Sequence, residues 1–492
     1  MPSIYHNWMS WLSTGLAGYT LSLMAILHLT NVLLGRPNPY LGVLTYLVLP
    51  VLFFLGLAGI VVGMWIEARR RRREGVAPLL PVIDLNAVVP RRRFVQFWVG
   101  SFGFVVLLSF TAYSGYHYTE SVQFCGETCH TVMKPTYTAY QGSAHARVPC
   151  TECHIGPGAS WWVRSKLSGT YQVYAYVFDR YERPIPVPIE SLRPARDTCE
   201  ECHWPAKLYD SVLRRRRYFS ADKANTAWEV HLEIPVGGGR RALDVDGVHW
   251  HVLPQNQVQY VASDARRQVI PWVKAIGPDG REVVFEDVEQ PLDPAVLATA
   301  EVRRMDCIDC HNQPSHVFKP PVRAVDEALA FGAISPRLPE IKAAAVSALT
   351  ASYPSQEAAE RSIRSQLTEF YQTNYPDVVR SDPSLLETAI QELTDIYRAN
   401  IFPEMKTDWR AYPSNAGHLF SPGCMRCHDG KHKSADGAVI PADCDTCHRI
   451  VAQGPPDRLV TNPSGMPFVH PMDESEITEP EACWECHDGT AY

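Results

Sequence analysis

Three runs of apolar residues open the chain, from Thr14 to Leu34, Val43 to Ile66 and Phe94 to Tyr113. Each matches the roughly 20 residues that a helix needs to cross a hydrocarbon core of about 30 Å. No Asp, Glu, Lys or Arg stands between Met1 and Gly35, and after Arg36 the next charge is Glu67. One such run reads as a buried core helix. Three in the first quarter of the chain predict membrane spans, at about 14–34, 43–66 and 94–113 within residues 1–118.

Beyond Tyr118 the pattern changes. Around Trp228 to Pro235, Gly247 to Val252 and Val258 to Val261 apolar and polar residues alternate, broken by Gly237 to Gly239 and Pro278 to Gly280, which predicts a small β-rich insertion over 211–300. A helical period with Pro breaks fills 321–412 and reads as packing or a partner-contact arm. The remaining segments, 119–210, 301–320 and 413–492, are loop-rich.

Charge gives the spans an orientation. Eight Arg (Arg69 to Arg73 and Arg91 to Arg93) face three acids (Glu67, Glu74 and Asp84) in the connection 67–93, a local balance of +5. The whole chain carries -7, so everything from Phe94 onward carries -13. A short Arg-rich connection belongs in the cytoplasm. The N-terminus is then cytoplasmic and everything after Tyr118 is exported. The first span lacks a basic leader and a small-residue cleavage site, and so predicts a retained anchor. Basic residues confined to one loop between apolar runs exclude a nucleic-acid binder.

The 14 Cys of an exported domain would suggest disulfides, but their spacing rejects them. Six pairs read C-x-x-C-H: Cys150/Cys153/His154, Cys199/Cys202/His203, Cys307/Cys310/His311, Cys424/Cys427/His428, Cys444/Cys447/His448 and Cys483/Cys486/His487. A seventh, Cys125/Cys129/His130, has one more residue between the thiols, and no Cys is left over. Two thiols at this spacing reach the two vinyl positions of one porphyrin edge, and the following His turns its imidazole onto the iron. The motifs predict seven covalent c-type haems, three in 119–210, one in 301–320 and three in 413–492. Zinc would need more Cys or His per site. Seven haems predict a haem-cored domain, mostly helical or irregular.

Sixth ligands come from the other eleven His: His6, His28, His117, His145, His231, His249, His251, His316, His418, His432 and His470. A His four or five residues after a proximal His starts on the same side of that haem, so His432 and His316 are expected to reach neighbouring haems. With His145, His418, His470 and one of His249 and His251, six distal candidates balance six haems, leaving the first as the exception; His231 and His117 are reserves. His28, inside the first span, is a candidate for helix packing or quinone contact.

The third span leading into Cys125 to Met133, the stretch His145 to His154, Lys166, and Cys199 to His203 together resemble the NapC/NirT family of membrane-anchored cytochromes. The match runs from about Phe94 to Pro205, and over most of the chain for a heptahaem inner-membrane type found in metal-reducing bacteria. The resemblance implies that a Met after the first motif's His replaces it on the first iron, beside a quinol pocket at the outer membrane face. Met133 stands three residues after His130, where the family has two, so His130 and Met133 both remain candidates. A family Lys twelve residues after the second haem's His corresponds to Lys166. The family carboxylate seven residues further on is Val173 here, which leaves Gln172, Asp179 or a haem propionate to take the proton.

The resemblance thus implies a quinol dehydrogenase of the bacterial inner membrane, with Lys166 and Gln172 at the quinol site. It would oxidise menaquinol and pass electrons to periplasmic c-type cytochromes or a terminal reductase. A terminal reductase of a small oxyanion is the first alternative, and it often carries C-x-x-C-K, which is absent here. A relay or redox sensor without a quinol site is the second.

Overall fold

The computed structural model describes residues 3–34, 41, 44–75, 85–128, 130–156, 158–189, 193–204, 208, 210–237, 247–471 and 482–490. It divides into two compact units, one of Met1–Met133 with Pro149–Thr151, the other of Lys134–Val148 with Glu152–Tyr492.

The first unit holds α1 (Trp8–Leu34), α2 (Leu49–Arg73, entered through a wide helical turn at Leu44–Val48) and α3 (Val88–Thr119). All three are long and apolar enough to cross a membrane. They outrun the apolar stretches at their Arg-rich ends, so residues 67–73 and 88–93 of the expected 67–93 loop are helix. Arg is a good helix former whose long stem keeps its head in water, and Arg70 to Arg73 also suit the negative end of the α2 dipole. α1 and α2 pack through Ala17, Met24, Leu49 and Phe53. A Cβ at Gly56 would lie 3.0 Å from the Ala17 backbone nitrogen, so the small residue permits close approach of the two backbones. Asn7 ties the same pair, its Nδ2 donating to the Gly63 carbonyl at 3.2 Å.

Among its described residues the second unit contains nine strands: β1 (Ser211–Phe219), β2 (Ala227–Pro235), β3 (Gln257–Val261), β4 (Trp272–Ile276), β5 (Glu282–Asp287), β6 (Arg303–Arg304), β7 (His432–Ser434), β8 (Arg449–Gly454) and β9 (Val460–Met466). They form two antiparallel sheets, ordered β1-β2-β8-β9 and β6-β3-β4-β5-β7. The region 211–300 is therefore not a closed insertion. Its strands leave open edges, and pairing with β6, β7 and β8 from later segments satisfies their backbone groups.

The segment 321–412, for which packing was one of the two expected roles, is a set of helices packed on one another. Helices Pro321–Phe331, Ile341–Thr350, Gln356–Asn374 and Pro383–Asn400 enclose an ordinary apolar core in which Val325, Ile341, Ile363, Leu367, Ile390 and Leu393 are at most 1% exposed. Proline opens the first and last of these helices, Ser355 caps the third by accepting from the Ala358 N–H, and Gly332 ends the first at φ +76°. Apolar residues at helical spacing bury one another here without help from a prosthetic group.

Candidate haem sites

Each C-x-x-C-H motif folds as a short turn. In five of them the His N–H closes onto the carbonyl of the first Cys: His203 to Cys199 at 2.7 Å, His311 to Cys307 at 2.8 Å, His428 to Cys424 at 3.1 Å, His448 to Cys444 at 3.2 Å and His487 to Cys483 at 2.8 Å. The sixth forms the helix Cys150–His154. One helical turn thus sets two thiols and an imidazole beside one another. In the first motif Cys125 lies on the helix Val122–Glu127, while Cys129 and the His130 side chain fall outside the described residues. Met133 lies on the helix His130–Gln141.

Cys153, Cys202, Cys444, Cys483 and Cys486 are exposed, and the other described Cys are half-buried. A surface thiol is accessible to a vinyl group, so these positions are compatible with thioether bonds.

Each of the other six proximal rings faces a second imidazole. The centroid separations are 6.3 Å for His154 and His316, 6.1 Å for His203 and His145, 6.3 Å for His311 and His249, 5.8 Å for His428 and His251, 5.9 Å for His448 and His418, and 6.1 Å for His487 and His470. Two imidazoles on one metal, each bonded at about 2.0 Å, have ring centres about 6 Å apart. The residues present therefore fit a haem iron between the members of every pair.

Hydrogen bonds reinforce the fit. A backbone carbonyl holds Nδ1 of His145 (Pro314, 3.1 Å), His316 (Thr136, 2.9 Å), His249 (Val236, 2.5 Å), His251 (Val248, 3.0 Å) and His428 (Pro441, 2.8 Å). Such a bond fixes the tautomer and leaves Nε2 as the metal-binding nitrogen. Partial burial holds His251, His316, His418 and His448 below the ordinary imidazole range, which favours the neutral, ligating form.

Two of the distal expectations change. His432 faces no proximal His among the described residues. It is 1% exposed, with Nδ1 on Asp429 Oδ1 at 2.8 Å and Nε2 on the Ile270 carbonyl at 2.7 Å, so neither ring nitrogen is left for a metal. In its place both members of the His249/His251 choice face proximal rings. They lie on the 3₁₀ turn Val248–Val252, where successive side chains step by a third of a turn, so residues two apart point in different directions. Between them Trp250 packs against the core of Val258, Tyr260 and Val273 and fixes the turn. The reserves stay apart: His231 Nε2 binds Glu229 at 3.0 Å, and His117 meets Tyr113 edge-on at 4.3 Å between ring centroids.

Sequence reasoning did not find the residues that hold neighbouring motifs together. Asp309, inside the Cys307 motif and 3% exposed, accepts from the Tyr260 hydroxyl at 2.7 Å and from Arg303 Nε at 2.9 Å. Burial and that carboxylate push the Tyr260 hydroxyl above its ordinary range. Arg426, inside the Cys424 motif, donates to the Asp309 carbonyl at 2.7 Å and to the Arg267 carbonyl at 2.8 Å. The only sequence signal for these contacts is a charge between the two Cys of a motif. The Cys199 and Cys307 thiols share a hydrogen bond, as do those of Cys125 and Cys150.

The resemblance-derived quinol residues lie on the helix Ala159–Val177. Lys166 Nζ sits 5.4 Å above the Trp162 ring, and Gln172 Nε2 lies 3.4 Å from Ser168 Oγ. Asp179 accepts from Arg183 at 2.6 Å. This helix exposes Leu167, Tyr171, Val173, Tyr174 and Val177, a mixture of aliphatic and aromatic side chains like that of membrane interfaces.

Comparisons with known proteins agree with this architecture. Residues 90–185 match the N-terminal region of the NapC/NirT cytochrome c family. The chain is 42% identical over 464 residues to the cytochrome c-type protein ImcH of Geobacter sulfurreducens, covering 93% of this chain and 90% of that one. No solved structure matches it. The chain belongs to the NapC/NirT family of membrane-anchored multihaem c-type cytochromes.

Proposed function

We propose that the protein is a quinol dehydrogenase of the bacterial inner membrane, oxidising menaquinol at the periplasmic face and passing electrons through seven c-type haems to periplasmic c-type cytochromes or a terminal reductase. The observation that carries this reading is the set of six facing imidazole pairs on C-x-x-C-H turns, in one chain with three potential membrane helices. Sites with two protein imidazoles leave no open position for an oxyanion, which favours electron transfer over reduction of a small substrate. The first site, with His130 or Met133 as its ligand, is the exception and lies nearest the third span in sequence.

Haem supplies the one-electron redox chemistry when bound. The chain's residues do the rest. The thiols would bind each haem covalently, and the imidazole pairs would ligate its iron. The Nδ1 bonds to backbone carbonyls raise the basicity of the ligating nitrogens. The Asp309–Arg426 contact and the His249-Trp250-His251 turn hold the fourth and fifth sites adjacent, as electron relay requires. The Arg-rich ends of α2 and α3 support a cytoplasmic location for that connection and, with three spans, a cytoplasmic N-terminus and a periplasmic haem domain. Lys166, steadied over Trp162, supplies a cation beside the quinol oxygens, with Gln172 as a hydrogen-bonding partner.

The test is anaerobic mixing of the purified, haem-loaded protein with a menaquinol analogue, followed in the haem absorption bands. Fast reduction that a quinol-site inhibitor blocks is expected. Absence of reduction, with all haems still reducible by dithionite, would overturn the proposal.

A further inference from the structure

The first unit contains an intramembrane polar chain that the haem sites do not use. His28 of α1 places Nδ1 2.7 Å from the Tyr46 hydroxyl, at the start of the second span. Its ring also meets Phe110 of α3 edge-on at 5.2 Å. The Tyr46 ring lies 5.3 Å from Tyr118, on the last turn of α3, and a Cβ at Gly115 would lie 3.5 Å from Tyr46. Tyr118 in turn packs on Phe124 at 5.3 Å and shares a hydrogen bond with Thr128, inside the first haem motif. All three helices contribute, each at the end away from the Arg-rich connection.

An ionisable ring inside a membrane span is costly unless it has a partner or a task. Helix packing accounts for one nitrogen only. His28 Nε2 has no hydrogen-bond partner among the described residues. With Nδ1–H donated to the Tyr46 oxygen, Nε2 is the basic nitrogen, and a neutral imidazole in an apolar setting is suited to accept a proton from a phenolic hydroxyl.

We propose that His28, Tyr46 and Tyr118 form the membrane-side quinol site: His28 Nε2 binds and deprotonates a hydroxyl of the quinol ring, and Tyr46 and Tyr118 carry the proton toward the outer end of α3. The proposal rests on the quinol-dehydrogenase reading and assigns it residues within the spans. The chemistry balances. The quinol loses two protons, each taken at His28 Nε2 as the Nδ1 proton leaves through Tyr46, and a flip of the ring between the two steps restores the Nδ1–H tautomer. It loses two electrons to two ferric c-type haems of this chain, and the C–O bonds become the carbonyls of the quinone. Lys166 keeps a separate role, tested by its own variant.

The experiment compares full-length, haem-loaded wild type with His28→Gln and Tyr46→Phe. Affinity for a fluorescent hydroxyquinoline N-oxide quinol analogue and the rate of anaerobic reduction by menadiol are both measured, and haem content is checked in each preparation. His28→Gln should weaken analogue binding at least about tenfold and slow reduction by about a hundredfold. Tyr46→Phe, which loses only a hydroxyl, should bind within about twofold of wild type and still slow reduction about tenfold. Wild-type binding and wild-type rates in both variants would overturn this inference and leave quinol oxidation standing. A wild type that menadiol does not reduce would overturn the underlying reading as well.

Discussion

Replacing His432 with alanine distinguishes a structural histidine from an iron ligand. The ring is 1% exposed and bridges Asp429 and the Ile270 carbonyl. Truncation leaves that carbonyl buried without its donor, at about 1–3 kcal/mol, and removes a charge-assisted bond to Asp429 of about 1.5–3 kcal/mol. Asp429 keeps the Lys431 N–H at 2.9 Å and retains some contact with water, which offsets part of the loss. The expected destabilisation is about 3–4 kcal/mol, read by urea unfolding of the detergent-solubilised protein under circular dichroism. Its pH dependence has a definite sign. Burial alone would lower the His432 pKa, but the Asp429 bond, the Ile270 carbonyl and Asp287 outweigh it and raise the pKa overall. The stabilisation is therefore complete below the unfolded value of about 6.5 and fades as pH rises through the higher folded value. The gap between wild type and His432→Ala should be widest below about pH 6.5 and narrow above it. Loss of one low-spin haem signal in His432→Ala, with stability unchanged, would refute the reasoning.

Further predictions follow from the same contacts. His249→Ala and His251→Ala should each convert one low-spin haem to a form lacking its distal imidazole, in two different sites, and the double variant should convert two; quantitative electron paramagnetic resonance of the ferric protein counts them. Arg426→Met removes the donors to the Gly423 and Arg267 carbonyls and one of two donors to the Asp309 carbonyl, which keeps Asn415 Nδ2 at 3.0 Å, and should cost about 1–3 kcal/mol, measured by urea unfolding. Ile363→Ala, at a fully buried site in the helical core, should cost about 2–5 kcal/mol while haem content by pyridine haemochrome stays at the wild-type level. Lys166→Ala should slow reduction by a menaquinol analogue about tenfold or more with all haems attached, and wild-type turnover would remove Lys166 from the quinol site.

The legible parts of this molecule were those set by local physics. Apolar run length and the absence of charge located α1, α2 and α3, and one helical turn is enough to bring the Cys and His of a C-x-x-C-H motif together, so that local arrangement could be read directly. Distal partners depend on tertiary placement. His316 is five residues from His311 yet faces His154, and His251 faces His428 from a different segment. Counting six candidates for six sites admitted His432 and so forced a choice between His249 and His251. What excludes His432 is the carbonyl of Ile270, distant in sequence. The sheets had the same character: alternation revealed β2 and β3 but not that β8 or β6 would complete their edges. The core of 321–412 was visible as helical periodicity, but the assumption that haems replace an apolar core concealed its meaning.

The central claim is that six of the seven C-x-x-C-H or related turns face a distal imidazole, as they do among the described residues, with the first site proposed as the exception. The most direct test is pyridine-haemochrome quantitation combined with low-temperature electron paramagnetic resonance of the ferric, full-length protein. The account predicts seven haems per chain, six with low-spin bis-imidazole signals and one distinct. Fewer than six bis-imidazole haems in a fully loaded chain would contradict it.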